Sequence, residues 1–534
     1  MGEPGLCSRC KEVDTEDLPI ACTLLEGNPC SACEEKEAIR EKIKQLEEEL
    51  TKLKAKHHAL KGRVNAIHDP FIHKLPPEIG SHIFRLCFPT LESESTHLWS
   101  KAPKFTGALR LGAVCQKWRQ LAWATPDLWD TLYVEIPQPQ SMKGSLVQWL
   151  PDLLREWLSR SGMRPLTIFF RCLSSEESDH SSSDDEVSYE SPIKNLKSAA
   201  EMVIEVLNLH SGRWRNLYLD VCADIPERFC GSIQPNQLLF LDLAIDGGSS
   251  PTAKFVMKSK PFPTQLTLSN FPPTSIDIGW NNITRAKLYY LTADECFEVL
   301  RRAPALEYCL IEPEDDATVD FGQTIHPHLR SLDISSEAIK FLNAINVPSL
   351  EEWIHSTSGG SLSVTVMVSL LKRSGCCLKI LHLQYISEPP DDLSSLFEAM
   401  PSLERLKLHF WSVQNADGVI DDILRRIFNS PTGNSTIPEE ASCESFLPCL
   451  QFMECTPSLT TAPFSWNHIP QLYRQGHRRS LTLKSAAYES HISDDTALQL
   501  LKLIDEGVDL QILDRTTEGG GDFLENFRKR VRSL

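Results

Sequence analysis

From Trp214 to Leu403 the chain returns, at steps of 24, 25, 22, 21, 23, 21, 28 and 25 residues, to one short template: an apolar anchor followed by apolar residues three and five places on. The fit is best at Leu306-Cys309-Ile311, Leu329-Leu332-Ile334, Leu378-Leu381-Leu383 and Leu403-Leu406-Leu408. Weaker copies begin at Trp129, Met163, Trp214, Leu238, Leu350 and Leu450, and those at Pro263, Arg285 and Arg478 keep only the later apolar pair. Apolar residues two apart mark a strand with one buried face. Between anchors run stripes at helical spacing, such as Cys296, Val299, Leu300 and Ala303, or Leu393, Leu396, Phe397 and Met400, each followed by a proline before the next strand. The unit is strand, turn, helix, turn, too small to bury its own apolar face and stable only when stacked on neighbours. The expectation is an α/β solenoid over residues 131–534. Its curvature is irregular, because Glu314 and Trp411 stand where a regular array of this kind carries an asparagine.

In such a strand the residue between the last two apolar positions points away from the core. One face is therefore predicted to carry Tyr218, Asp242, Tyr289, Leu310, Asp333, Ile354, His382 and Lys407. Tyr, Leu and Ile held toward water are typical of interface anchors. Near Ile354 the segment Ser356 to Ser361 is an alternative cover from the chain itself. Charge reverses from Asp242 and Asp333 to Lys407, which favours a protein cargo of mixed charge over a polyanion.

Upstream of the repeats, Leu75-Pro76-Pro77-Glu78-Ile79 runs through Ile83-Phe84 and resumes as Leu111-Gly112-Ala113-Val114-Cys115-Gln116-Lys117-Trp118-Arg119 before Thr125-Pro126-Asp127-Leu128-Trp129. Prolines suit a helix start. Ile79, Ile83, Phe84 and Cys87 then form one stripe, and Leu111, Val114, Cys115, Trp118, Leu121 and Ala122 a second, read as a second helix. These residues resemble an F-box, and the repeats behind them resemble leucine-rich repeats. Together with the helix described next they resemble the F-box-like proteins that mushroom-forming fungi possess in large numbers. The resemblance implies a small all-α F-box at 70–130, with an inserted loop at 89–108, that docks on an SKP-type adaptor and through it on a cullin of a ubiquitin ligase. It places Leu75, Pro76, Ile79, Val114, Cys115 and Trp118 against that adaptor, and it implies a receptor without chemistry of its own. A leucine-rich-repeat scaffold with no ubiquitin role is the alternative.

Over residues 34–69, Ile39, Ile43, Leu46, Leu50, Leu53, His57, Leu60, Val64 and Ile67 follow the four-three spacing of a heptad seam, with Ile43, Leu50, His57 and Val64 at position a. The outer positions mix Glu and Lys, as in Glu48 and Lys52. A coiled-coil homodimer and a helix folded back on the F-box are both open, and His57 reads as a register or partner-choice residue.

The leader, 1–33, holds Cys7, Cys10, Cys30 and Cys33 as two CxxC pairs, a donor set that suits a structural zinc ion. A leader with incidental thiols is the other reading. The remaining cysteines of the 17 lie mostly in apolar stripes, as in a reducing compartment. Ser174 to Glu186 explains the long step of 51 residues from Met163 to Trp214: an acidic, Ser-rich insertion at about 173–192 that cannot bury enough apolar surface to order itself. Ser174, Ser181, Ser182 and Ser183 each precede an acidic residue by three places, the pattern of acid-directed phosphorylation; an unmodified solubilising loop is the other reading. With 54 basic against 72 acidic residues and a formal net charge of -18, binding to nucleic acid or to an anionic membrane is disfavoured. The basic run Arg528 to Arg532 reads as a solvated helix end, with a nuclear address as the other reading. No apolar run is long enough to span a bilayer, so a cytoplasmic or nuclear protein is expected. Nucleophile-elbow, phosphate-loop and zinc-protease motifs are all missing, and the acidic run Glu312 to Asp316 reads as a solvated turn.

Overall fold

The computed structural model describes residues 31–68, 74–87, 107–136, 145–173, 190–246, 253–314, 322–335, 339–357, 362–386, 393–410, 422–427, 446–456, 466, 469–474, 481–487, 492–514 and 522–533. Two compact units meet in the sequence between Leu128 and Trp129. Cys7, Cys10 and Cys30 and the phosphorylation candidates of the acidic insertion lie outside the described residues.

Among the described residues the first unit contributes four α-helices: α1 (Ser31–His68), α2 (Pro77–Leu86), α3 (Gly107–Val114) and α4 (Gln116–Trp123). Helix α1 begins at Ser31, so Cys33 of the second CxxC pair stands in its first turn. The expected second stripe is two helices, because Cys115 is extended (φ -157°, ψ 171°) and caps α4, its thiol accepting the Trp118 N–H at 3.4 Å. Sequence gave little warning of this break, since Cys is an unusual cap.

The second unit is built on one parallel sheet of fourteen strands whose spatial order is their order in the chain. Two inward rows run across it. One joins Leu217, Leu241, Leu266, Ala286, Cys309, Leu332, Trp353, Leu381, Leu406, Met453 and Leu483; the next joins Leu219, Leu243, Leu268, Leu288, Ile311, Ile334, His355, Leu383, Leu408 and Cys455. All are buried. Full burial of a Leu or Ile contributes roughly 1.5–3 kcal/mol, repeated at every strand. Helices close the core from the far side: Ala293–Arg302 buries Cys296, Phe297, Val299 and Leu300 behind a capping box of Thr292 and Glu295.

Backbone bonds supply what an asparagine array would have supplied. The residue before each strand donates to its counterpart one unit earlier: Glu307 N–H to Thr284 O, Arg330 to Glu307, Glu351 to Arg330, Lys379 to Glu351, Glu404 to Lys379 and Gln451 to Glu404, each at 2.8 Å. Side chains along this line alternate in sign from Glu307 to Glu404, and Lys379 reaches Glu351 at 3.1 Å.

Two expected anchors fail. Met163 is 88% exposed. At Arg285 the template is displaced by two residues: Ile283, Ala286 and Leu288 are buried and Arg285 is exposed. At the far end, helix Phe523–Ser533 ties Arg528 to Asp505 and Lys529 to Glu525, and the acidic insertion gives way to a helix at Glu190, within its expected bounds. Among the described residues no helix is long and apolar enough to cross a membrane.

Candidate functional site

Two surfaces present residues that the fold itself does not use. The first lies on α2, α3 and α4. Pro76 (φ -57°) stands at the helix entry, and its carbonyl accepts the N–H groups of Ile79 and Gly80, both at 3.1 Å. The packed stripe of α2 is Gly80 and Phe84, where the sequence pointed to Ile79 through Cys87; the Phe84 and Trp118 rings sit 4.9 Å apart and hold α2 on α4. Ser81 and Thr125 share a 2.8 Å hydrogen bond that fixes the turn before Pro126–Leu128. Arg119 Nε donates to the Gly112 carbonyl at 2.9 Å, joining α4 to α3.

Outside this packing, among exposed polar residues such as Glu78, His82 and Lys117, stands a set of uncovered apolar side chains. Leu75, Ile79, Leu86, Leu109 and Val114 are all exposed, Leu86 to 69%, and Pro76 is exposed beside them. Of the six expected adaptor residues, Leu75, Pro76, Ile79 and Val114 are thus free to meet a partner. Cys115 and Trp118 are half-buried and serve the fold, one as a helix cap and one as the partner of Phe84. Leu86 and Leu109 were missed by sequence reading.

Gly112 is the tightest point of this unit. A Cβ there would lie 2.0 Å from the Trp123 ring. Gly112→Ala gains about 1 kcal/mol of helix propensity but forces the indole away, an overpacking cost of about 1–3 kcal/mol. The net expectation is destabilisation, read as faster hydrogen exchange of the α3 and α4 amides. Unchanged exchange would show that Trp123 swings away freely.

The second surface is the open face of the sheet, whose central row runs Tyr133, Phe169, Tyr218, Asp242, Thr267, Lys287, Leu310, Asp333, Ile354, His382, Lys407, Glu454 and Lys484. Seven of the eight expected cargo residues fall on it. Tyr289 does not: Lys287 occupies the row, and Tyr289 lies two residues on, on the same face, between Ser269 and Glu312. Tyr218, expected in the open, is only 5% exposed, because it stacks on Phe169 (4.2 Å, 11°) and meets Phe240 at 4.7 Å. Asp242, Leu310, Asp333, Ile354, His382 and Lys407 are half-buried.

Carboxylates set the electrostatics of the middle of this face. Burial, then the charge of Asp220, pushes the Asp242 carboxyl up to about 7, with Lys287 opposing. Asp333 is pushed up to about 6 by burial, Glu312 and Glu352. Glu312 is raised by burial; it stands on the strand Tyr308–Pro313 and faces this row, so it is not the solvated turn its sequence neighbourhood indicated. Among the described residues none of Asp242, Glu312 and Asp333 is hydrogen-bonded or ion-paired. Further along, Glu454 takes both Lys407 (3.6 Å) and Lys484 (3.2 Å), and burial, then Lys407, lowers His382 to about 4. Charge is thus balanced internally at the Lys407 end and left acidic at the centre.

These shifts predict a pH dependence. A carboxyl whose folded pKa is raised stabilises the fold below its unfolded value, near 3.8, and loses that contribution as pH climbs through about 6 for Asp333 and about 7 for Asp242. The lowered His382 acts oppositely, contributing above its unfolded value of 6.5 and losing this as pH falls through about 4. Asp242→Asn should therefore stabilise the protein at pH 8 by about 1 kcal/mol after solvent screening, and by progressively less toward pH 5. Equal effects at both pH values would refute the assignment.

Two tyrosines not anticipated from sequence border the same face. Tyr290 (φ 53°) and Tyr385 (φ 57°) are left-handed and lie where the strand register slips, with their side chains 56% and 44% exposed. Left-handed backbone is costly for a bulky residue and collects at binding sites. The repeated endings Leu288-Tyr289-Tyr290-Leu291 and Leu383-Gln384-Tyr385-Ile386 are the signal that could have found them.

Residues 72–135 match the family model described as F-box-like. Among curated proteins none matches the chain.

Proposed function

We propose, from the F-box-like domain at residues 72–135, that the protein is a non-catalytic substrate receptor of a cullin-RING ubiquitin ligase in the cytoplasm or nucleus. The observation that carries this reading is the exposed apolar set Leu75, Pro76, Ile79 and Val114 on that domain, left uncovered while Phe84 and Trp118 hold the helices together. An SKP-type adaptor covers this set and links the chain to the cullin. The sheet, read as irregular leucine-rich repeats, binds a protein cargo on its open face. Half-buried carboxylates without ion pairs are costly to leave alone, so Asp242, Glu312 and Asp333 favour a cargo segment that brings Lys or Arg between Tyr290 and Tyr385. The exposed heptad seam of α1 serves self-association.

Reconstitution tests the reading. With adaptor, cullin-RING and charged ubiquitin-conjugating enzyme, proteins captured from native cells by the full chain should be ubiquitinated, and Asp242→Lys with Asp333→Lys should abolish their capture. Capture of cargo with no adaptor-dependent ubiquitination would favour a leucine-rich-repeat scaffold instead.

A further inference from the structure

We propose that Ser31–His68 pairs with the same helix of a second copy of this chain, parallel and in register over its first half and splayed toward its carboxyl end. The inference rests on the self-association reading and adds to it an orientation and a fork. Ile39, Ile43, Leu46, Leu50, Leu53, Leu60 and Val64 are each 46–62% exposed, so the described part of the chain does not fold back to cover the seam. Leu at d (Leu46, Leu53, Leu60) with β-branched Ile43 and Val64 at a is the combination that favours two parallel strands.

Charges beside the seam decide the direction. In a parallel, in-register pair each g residue meets the partner's e residue five places on. This sets Glu35 against the partner's Arg40, Lys42 against the partner's Glu47 and Glu49 against the partner's Lys54, all attractive. It then sets Lys56 against the partner's Lys61, which repels. An antiparallel pair centred on the same seam would keep Glu49 with Lys56 and Glu47 with Lys54, but would oppose Lys42 to Arg63 and Arg40 to Lys61. The parallel pair has the better balance, and its one repulsive contact falls beside His57, the polar a position. Among the described residues Lys42, Glu47, Glu49, Lys54, Lys56 and Lys61 form no ion pair within their own chain, so they are available to a partner. The first half zips and the second half repels, which separates the two chains before residue 72, where the F-box-like match begins.

Sedimentation equilibrium of the full chain gives the test. Wild type should be a reversible dimer, and Leu46→Glu with Leu53→Glu a monomer that still binds the adaptor. Lys56→Glu turns two repulsive contacts into attractive ones and should tighten the dimer roughly tenfold; Lys42→Glu should loosen it by a similar factor. An antiparallel dimer responds with both signs reversed, which would overturn the orientation and leave self-association standing. No response to either charge change would overturn it too. A wild type that stays monomeric at every concentration would overturn the dimer itself, without touching the adaptor assignment.

Discussion

Exchanging Leu75 and Pro76 for alanine should lower capture of an SKP-type adaptor by roughly thirty- to a hundredfold, and Ile79→Asp should remove it. None of the three side chains belongs to the buried core. The two hydrogen bonds at the entry of α2 end on the carbonyl of Pro76, which alanine retains. The loss is therefore one of interface, where truncating central apolar anchors costs about 2–3 kcal/mol. Thermal unfolding of the sheet should not move. If these variants bound like wild type, the uncovered set on α2 would not be the docking surface.

Trp353→Ala should cost about 3–5 kcal/mol, the range for deleting a buried aromatic ring. Trp353 is 0% exposed on the strand Glu352–Ser356, in the inward row between Leu332 and Leu381. Its indole Nε1 has no hydrogen-bond partner, so Trp353→Phe removes an unsatisfied donor along with the lost volume and should cost about 1 kcal/mol less than the volume alone implies. Units of such an array are coupled mainly to their neighbours. Lost hydrogen-exchange protection should thus concentrate on Ser331–Ser335, Glu352–Ser356 and Ile380–Ile386. A cost below 1 kcal/mol for the alanine variant in urea unfolding would contradict the packing described.

The inward rows were legible because an apolar pair two residues apart has only one face to go to when the opposite face is polar; Leu332 with Ile334 and Leu406 with Leu408 are of this kind. Arg285 was misread because Leu288 and Tyr290 fit the template by residue type, while the backbone turns left-handed at Tyr290 and the strand register shifts there. Tyr218 was misread for another reason: its burial comes from Phe169 and Phe240, neighbours only once register is known. The Asp242 carboxyl is raised first by burial and then by Asp220, a neighbour known only from the same lateral pairing, and Glu312 is raised by burial, which its acidic sequence neighbourhood does not announce. Around the start of α2 the Leu-Pro-Pro run marked where exposed apolar residues stand, but Leu86 was not marked, because nothing in its type separates an uncovered leucine from a buried one.

Titration of the purified full chain with a purified SKP-type adaptor, followed by calorimetry, tests the central assignment most directly. Saturable binding of one adaptor per chain is expected, with a negative heat-capacity change from burial of Leu75, Ile79 and Val114 and loss of the signal in Ile79→Asp. Absence of binding by a wild-type chain whose α2 and α4 are folded would contradict it.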